Sequence, residues 1–176
     1  MKTRIYIIAV VALCITSCQP NRPSSNTGVP DTYALAYEEI YGHCYDSVPY
    51  GVVALDLYSD GITLDKNHKI QGNGYNLYIS DIFVPDSLLE EGTYRSSTEA
   101  VPFTILPGRD YDGMPYGLYW LEIKESQVAA IQVLDSGSFV YRNDSLLFTL
   151  YFRNRYGSRA RYTCTFTGPL IPWLRQ

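Results

Sequence analysis

Apolar and polar residues alternate most strictly near the end of the chain. Tyr162, Cys164 and Phe166 are separated by polar residues, and a similar two-residue period runs through LLFTLYF at 146–152. A period of two places every second side chain on the same face of a β-strand. The polar stretch between the two runs contains Gly157 and is typical of a turn. The sequence therefore predicts an antiparallel hairpin with one face in the core.

Similar runs recur upstream, with turn residues about every eight to twelve positions. The first strand is predicted at about 33–45, with a short helix capped by Asp31 as the alternative, and 86–91 fit one helical turn. The pattern at 128–141 fits one long strand with a turn or bulge at 135–137, before a turn at Asn143-Asp144. The other predicted strands are 52–58, paired with 73–80, then 101–106 and 116–124. About eight antiparallel strands indicate a single all-β domain, either a meander barrel or a β-sandwich.

The beginning of the chain has a different pattern. Lys2 and Arg4 precede an apolar run at 5–15, which is shorter than the roughly 20 residues needed to span a bilayer. This arrangement is typical of a secretory signal peptide. The next residues, Ile15-Thr16-Ser17-Cys18, resemble the bacterial lipobox, which implies cleavage before Cys18 and lipid on its thiol. We therefore interpret residues 1–17 as a lipoprotein signal peptide; the alternative is an ordinary secretory signal with a chance cysteine.

Residues 18–30 consist mainly of Pro, Ser, Asn and Gly and offer little to bury. We interpret them as the lipidated cysteine and a flexible tether. Gln19 stands where an inner-membrane retention signal has Asp, so the resemblance to lipoprotein sorting implies a lipid anchor in the outer membrane. The acidic run of many surface-exported Bacteroidetes lipoproteins is missing, which leaves the periplasmic and surface faces both open.

Charge narrows the class of partner. After residue 17 the chain has 12 basic and 18 acidic residues, a net charge of −6. This charge balance argues against nucleic acid as a partner and against binding to anionic lipids by charge. The lipid on Cys18 is therefore the expected link to the membrane. The 159 residues that follow residue 17 suffice for one domain with a core, which we place at 31–176. Within it, Cys44 and Cys164 form a disulfide in an oxidising compartment or are two small buried apolar residues.

Several short motifs follow one another in a familiar order. They are Tyr41-Gly42, GVVALDL at 51–57, Gly72-x-Gly74, Glu91-Gly92-Thr93-Tyr94 and Ser136-Gly137-Ser138-Phe139-Val140. In this order they resemble an all-β domain of Bacteroidetes outer-membrane lipoproteins, over most of residues 35–168. The resemblance implies compartment and β architecture but no reaction. The Gly-x-Trp of lipocalins is missing, so a barrel is expected to be calycin-like in shape only.

The candidates for catalysis are few. His43 and Cys44 lie near Asp46, but neighbours on a strand point to opposite faces and are poorly placed to share a proton. Glycosidase chemistry needs two facing carboxylates, for which Asp56/Asp60 and Asp110/Asp112 are weak candidates, and Glu38-Glu39 is interpreted as a solvated pair. Asp110-Tyr111-Asp112-Gly113 fits an Asp-Gly turn better than a calcium loop. We predict no catalytic residue, no metal site and no cofactor.

Aromatic residues offer a binding interpretation instead. Tyr111, Tyr116, Tyr119 and Trp120 crowd one loop and its strand, and Tyr75 lies in another glycine-rich loop. Flat rings of this kind stack on sugar rings or partner side chains. The alternative is that the tyrosines pack in the core with their hydroxyls in water.

Three Asp-Ser pairs precede an apolar residue at expected turns. They place Ser47, Ser87 and Ser145 in tripeptides that resemble the O-glycosylation sequon of exported Bacteroidetes proteins. Asp-Ser is also a common turn pair. The expected function is a non-catalytic cell-envelope lipoprotein that binds a glycan, peptide or protein. The alternatives are an envelope assembly component and, third, a hydrolase.

Overall fold

The computed structural model describes residues 29–42, 49–153 and 156–174, and all of its helix-or-strand elements are strands, which confirms the predicted all-β class. The strands are β1 (Thr32–Tyr33), β2 (Leu35–Gly42), β3 (Gly51–Tyr58), β4 (Ile62–Leu64), β5 (Ile70–Gly72), β6 (Gly74–Val84), β7 (Gly92–Ser96), β8 (Thr104–Ile105), β9 (Arg109–Tyr111), β10 (Met114–Tyr116), β11 (Leu118–Lys124), β12 (Gln127–Val133), β13 (Ser136–Arg142), β14 (Ser145–Arg153), β15 (Arg159–Thr167) and β16 (Ile171–Leu174).

Twelve of these strands form one curled sheet in the order β1-β15-β14-β13-β7-β8-β6-β3-β2-β16, with β11 paired to β6 and β12 to β11. The short pairs β4–β5 and β9–β10 form two separate sheets. The prediction of about eight antiparallel strands is wrong, because β1–β15, β7–β8 and β16–β2 are parallel and the sheet is mixed. Alternation along a sequence reports the face of a side chain but not the direction of the neighbouring strand.

Residues 32–42 join the two ends of this strand order. β1 pairs with β15, and β2, which follows after Ala34 alone, pairs with β3 and β16. The backbone N–H of Ala34 donates to the carbonyl of Tyr58 at 2.9 Å, so the chain stays hydrogen-bonded as it passes from one end to the other. Each of the first two strands therefore pairs with one of the last two, β1 with β15 and β2 with β16.

The main core is built from alternate residues of β13, β14 and β15 together with one face of β3 and β6. The predicted inward residues Leu146, Phe148, Leu150, Phe152, Tyr162, Cys164 and Phe166 are all buried. Tyr94 and Phe139 stack in this core with their ring centroids 4.6 Å apart. The period-two pattern thus identified the core face of β14 and β15 correctly.

β3 is buried on both faces, since all eight of its residues are inaccessible. Leu55 and Leu57 enter the main core, whereas Tyr58 belongs to a smaller cluster with Ile62 and Ile123 on the opposite side. We call this opposite side of β2, β3, β6 and β11 the outer face. The β4–β5 hairpin covers one part of it, and the remainder carries the site described below.

The structure differs from some of the local predictions and agrees with others. Residues 86–91 contain no helix, and the strand expected at 101–106 is reduced to β8. The long strand expected at 128–141 is two strands with different neighbours, β12 beside β11 and β13 between β7 and β14. The predicted turn at Asn143-Asp144 is confirmed, with φ of 49° and 52°. Residues 31–45 are strand rather than helix as far as Gly42.

Several of the predicted positions lie outside the described residues. These are Cys18, Cys44, Ser47 and most of the expected tether. No helix in the described part of the chain has the length and apolarity that crossing a membrane would require.

Candidate functional site

A cavity of about 540 Å³ lies on the outer face, between the β4–β5 hairpin and the β9–β10 hairpin. Its acidic lining residues are Glu39, Asp56 and Asp81, and its aromatic ones are Tyr41, Tyr58, Tyr78, Tyr116, Tyr119 and Trp173. The carboxylate residues are only 2 to 6% exposed. Charged residues this deeply buried are uncommon unless they are paired or hydrogen-bonded.

The strand register explains why these side chains converge. Tyr37, Asp56, Tyr78 and Tyr119 are directly opposite one another across β2, β3, β6 and β11. Directly opposed residues share a face of the sheet. One row of four strands therefore delivers three tyrosines and a carboxylate to the outer face, on a hydrogen-bonded scaffold.

A β-bulge adds a second carboxylate to the same face. Val53 pairs with Ile82 and Leu55 with Ile79, so Ser80 and Asp81 of β6 together oppose Ala54. In a regular strand these two neighbours would point to opposite faces, but here both line the cavity. Bulges commonly re-aim a side chain in this way. A further bulge makes Tyr41 the extra residue of β2, at the same end of the cavity.

Glu39 accepts hydrogen bonds from two tyrosines. Tyr41 donates to its Oε2 at 2.7 Å and Tyr78 donates to the same oxygen at 3.3 Å, while the two hydroxyls are 3.1 Å apart. Burial, the hydrogen bond with Tyr41 and the charge of Glu39 raise the pKa of Tyr78 far above its usual value. Tyr78 therefore remains a protonated donor throughout the neutral range.

Asp56 is held at both oxygens. Tyr58 donates to Oδ2 at 2.5 Å, and Asn76 donates through Nδ2 to Oδ1. The Asn76 amide also donates to the carbonyl of Leu57 at 3.1 Å, which fixes its orientation. Asp56 is thus a positioned acceptor in the floor of the cavity.

Asp81 accepts from its neighbour in the bulge. Ser80 Oγ donates to Asp81 Oδ2 at 2.5 Å and accepts from the backbone N–H of Gly117 at 3.0 Å. Gly117 is the residue between β10 and β11 and has a φ of 78°, so the start of β11 is tied to the bulge. This contact positions the β9–β10 hairpin, whose Pro115 and Tyr116 form part of the wall.

The opposite wall is a small aromatic cluster. His68, from the turn of the β4–β5 hairpin, stacks on Trp173 of β16 with ring centroids 4.3 Å apart and planes at 12°. The ring of Tyr37 contacts both rings edge-on, with centroid distances of 6.1 Å to His68 and 6.2 Å to Trp173. Strand β16, which the alternation did not predict, is therefore what brings Trp173 to the cavity.

The predicted aromatic residues do not form one patch. Tyr116 and Tyr119 line the cavity, and Tyr111 extends beyond it on β9 with 60% exposure. Tyr75 and Trp120 pack against the main core instead, with ring centroids 5.7 Å apart. Tyr119 and Trp120 are neighbours on β11, so the strand sends their side chains to opposite faces.

The structure also separates the acidic residues that the sequence analysis paired. Asp56 lies in the cavity with Glu39 and Asp81, whereas its suggested partner Asp60 is exposed. The interpretation of Glu38-Glu39 as a solvated pair is wrong, because they point to opposite faces of β2 and both faces are covered. Glu38 Oε1 accepts from the backbone N–H of Leu89 at 2.6 Å.

The other predicted residues lie away from the cavity. Asp110 accepts from the N–H of Gly113 at 2.8 Å, as the Asp-Gly turn requires. Ser87 and Ser145 are half-buried, and Cys164 is buried beside Tyr162. The bridge to Cys44, one of the two alternatives for this cysteine, involves a residue outside the described ranges. Among the described residues, no group of three or more His, Cys, Asp or Glu side chains is arranged to hold a metal ion.

One sequence signal could have identified the acidic floor. Asp56 interrupts an otherwise uncharged run, GVVALDLY, and every residue of that run is buried. A carboxylate inside a strand that is apolar on both faces needs partners there.

Comparison of the chain with family models, curated proteins and solved structures gives no match in any of the three.

Proposed function

We propose that this chain is an exported lipoprotein, anchored in the outer membrane through lipid on Cys18, and that its β domain is a non-catalytic binding module. The cavity on the outer face is its ligand site. The observation that supports this is the convergence of six aromatic rings and three buried carboxylates on one cavity of about 540 Å³. Ligand sites for small molecules have volumes of about 300–1,000 Å³ and a few positioned polar groups.

The ligand is a glycan or a short peptide segment. Tyrosine and tryptophan rings offer flat apolar faces to sugar rings and side chains, and the carboxylates accept hydrogen bonds from them. The volume suits one or two sugar rings or a single long side chain rather than a folded partner. A macromolecule would therefore present one group to the cavity.

The binding site is tested by titrating the full-length chain with neutral and charged saccharides and short peptides, with tryptophan fluorescence as the readout because Trp173 lines the cavity. Tyr119→Ala removes one wall and is expected to weaken binding about tenfold or more. Tyr111→Ala, at an exposed position outside the cavity, is the matched control. Binding that survives Tyr119→Ala and disappears in Tyr111→Ala would move the site to the hairpin tip.

The anchor is tested separately in cells. Labelled palmitate is expected to be incorporated into the chain and lost in Cys18→Ala. Protease treatment of intact cells then distinguishes the two faces: degradation places the domain outside, and survival until the outer membrane is permeabilised places it in the periplasm. Absence of lipid in the unaltered protein would refute the anchor but leave the cavity proposal unaffected.

A hydrolase is the second candidate, because three carboxylates converge on one cavity. Two facing carboxylates are the requirement of glycoside hydrolysis. Glu39 and Asp56, however, each accept two hydrogen bonds from neighbouring side chains, an arrangement that suits fixed acceptors. Release of reducing sugar from a bound glycan, lost in Asp81→Asn, would favour the hydrolase.

The assembly alternative is favoured by strand β12. It pairs with β11 alone among the described strands, and its Val128 and Ile131 are about half exposed. Exposed apolar edge strands recruit other strands. Under this alternative Ile131→Lys abolishes crosslinking to an envelope protein, whereas Tyr119→Ala has no effect on it.

A further inference from the structure

We infer that strand β12 is the interface of a homodimer, in which a second copy of this chain adds its own β12 antiparallel to the first. This inference goes beyond the proposed function, because it concerns an edge of the sheet and not the cavity. The edge of β12 is open, apolar and uncharged, and its sequence reads alike from both ends.

β12 is an open edge over most of its length. It pairs with β11 alone among the described strands, and residues 127–131 are all exposed. The end of the strand is closed, because the side-chain amide of Gln132 donates to the carbonyl of Val133 at 2.8 Å and the N–H of Gly108 donates to that of Leu134 at 2.9 Å. Open strand edges are templates for pairing with another strand. The edge available to a second strand is therefore 127–132.

The backbone groups of Val128 and Ile131 are directed away from β11. Residues of an antiparallel strand turn their N–H and C=O alternately to one neighbour and to the other. Gly117, just before β11, accepts a hydrogen bond from β6, so Leu121 and Ile123 also turn their backbone groups to β6. Val128 and Ile131 are the residues opposite these two. Their own donors and acceptors are therefore directed outward, towards an incoming strand.

A β-bulge places the two exposed apolar side chains of this edge on one face. Ile131 opposes Leu121 and Val128 opposes Ile123, so three residue steps along β12 match two along β11, and the bulge lies at Ala129. Leu121 and Ile123 belong to the outer face, and directly opposed residues share a face of the sheet. Val128 and Ile131, which are 52% and 47% exposed, therefore both lie on the outer face.

The open edge is complementary to itself. Residues 127–132 have the sequence QVAAIQ, which has the same pattern of polar, large apolar and small residues in both directions. A two-fold axis perpendicular to the sheet, between Ala129 and Ala130, sets each Val128 opposite Ile131 of the second copy. In this register the paired residues direct their backbone groups at one another and their side chains to the same face. Both copies have the same bulge, so the ladder of hydrogen bonds stays in register.

Charge favours a second copy as the occupant of this edge. After residue 17 the chain has a net charge of −6, so two copies repel one another over much of their surface, but β12 contains no charged residue. Edge strands that avoid pairing commonly carry charges, lysine above all. A strand from another protein has no need of an edge that reads alike in both directions. The interface is small, so we expect a weak dimer with a dissociation constant of about 10–100 µM.

Analytical ultracentrifugation of the full-length chain and two double variants tests the dimer and its register. Val128→Lys/Ile131→Lys sets lysines opposite lysines across the axis and is expected to weaken the dimer at least about a hundredfold. Val128→Lys/Ile131→Glu introduces as many charges but sets each lysine opposite a glutamate. It is expected to dimerise within about tenfold of the parent.

Leu147→Lys is the matched control, since Leu147 is 54% exposed on β14, a strand with neighbours on both sides. It is expected to leave the dimer unchanged. Thermal melting shows whether each variant is folded. If a double variant is not, Ala130→Lys replaces it, because it brings two lysines together at the axis and must also weaken the dimer.

The outcomes are distinct. A parent chain that is still monomeric at about 500 µM would overturn the inference, and capture of a strand from an envelope protein by that monomer would favour the assembly alternative. A dimer that both double variants retain, or that both lose while folded, would also overturn it. The dimer and ligand binding in the cavity are measured separately, so failure of either leaves the other standing.

Discussion

The hydroxyl of Tyr58 donates a 2.5 Å hydrogen bond to Oδ2 of Asp56, two residues earlier on the same strand. The two side chains share the outer face, because residues i and i+2 of a strand point the same way. Burial, followed by the charge of Asp56, raises the pKa of Tyr58 far above its usual value, so the phenol remains a donor. The buried carboxylate thus depends on a partner supplied by its own strand.

Removing that donor has a measurable cost. We expect Tyr58→Phe to lower the free energy of unfolding by about 1–3 kcal/mol, because Asp56 loses a charge-assisted hydrogen bond in a buried setting. Urea denaturation measures the change. Tyr37→Phe is the control, since the contacts of Tyr37 are edge-on ring contacts with Tyr58, His68 and Trp173. Equal losses in the two variants would show that the hydroxyl bond to Asp56 has no special value.

Glu38 gives the fold a predictable dependence on pH. Burial raises the pKa of its carboxyl, and the hydrogen bond from Leu89 opposes this without cancelling it. Because the folded-state pKa is the higher one, ionisation disfavours the folded state as pH rises through and above it. Glu38→Gln keeps an acceptor for Leu89 and removes the charge. We expect this variant to melt at a higher temperature than the parent at pH about 8, with the difference vanishing below pH about 4.

The control for that experiment is Glu99→Gln, which changes an exposed glutamate. It is expected to leave the melting temperature unchanged at both pH values. A Glu38→Gln variant that is less stable than the parent at pH about 8 would contradict the sign of the argument.

A substitution in the aromatic core is expected to have a larger effect on stability. Phe139 stacks on Tyr94 at 4.6 Å and contacts Phe148 at 5.4 Å, and it is 1% exposed. We expect Phe139→Ala to cost about 3–5 kcal/mol, as large-to-small substitutions in cores do. Val140→Ala, one residue later on the exposed face, is expected to change stability by less than about 0.5 kcal/mol. Denaturant titration of both variants measures their free energies of unfolding. Similar losses of free energy in the two variants would contradict the prediction.

The thiol of Cys164 is expected to be unreactive towards alkylating reagents in the folded domain. Burial raises the pKa of its thiol to about 12, so little reactive thiolate exists at neutral pH. In a chain with Cys14→Ser, Cys18→Ser and Cys44→Ser, which leaves Cys164 as the remaining cysteine, we expect a maleimide to label Cys164 at least about a hundredfold more slowly in buffer than in urea. Fast native labelling would contradict its burial. In the chain that retains Cys44, a denatured thiol that reacts only after reduction would establish the bridge as the correct one of the two alternatives for Cys44 and Cys164.

How far the sequence predicted the fold depends on strand length. β14 and β15 are nine residues each and show a strict period, so both the hairpin and its core face were correct. β4, β5, β9 and β10 have three residues each, too few to display a period, so the alternation does not predict them. β16 contains Pro172 and four residues in all, and its parallel pairing with β2 depends on contacts across the whole chain.

The site was less predictable than the fold. Asp56 was visible as a carboxylate in a buried run, but Asp81 reaches the cavity only because a bulge re-aims it. No local pattern marks that bulge. Tyr119 and Trp120 were grouped because they are adjacent in sequence, although strand geometry separates them. Sequence proximity is therefore a poor guide to a shared surface within a strand.

The pairing of residues 32–42 with both β15 and β16 bears on when the domain can fold. Tyr33 and Tyr162 meet across 129 positions of sequence, and Tyr162 also donates to the carbonyl of Pro30. Contacts between such distant segments slow folding, because the intervening loop must close first. Strands β1 and β2 cannot acquire all their neighbours until the last strands have been synthesised. We therefore expect slow folding kinetics and a nascent chain whose strands β1 and β2 stay incompletely paired until β15 and β16 have been synthesised.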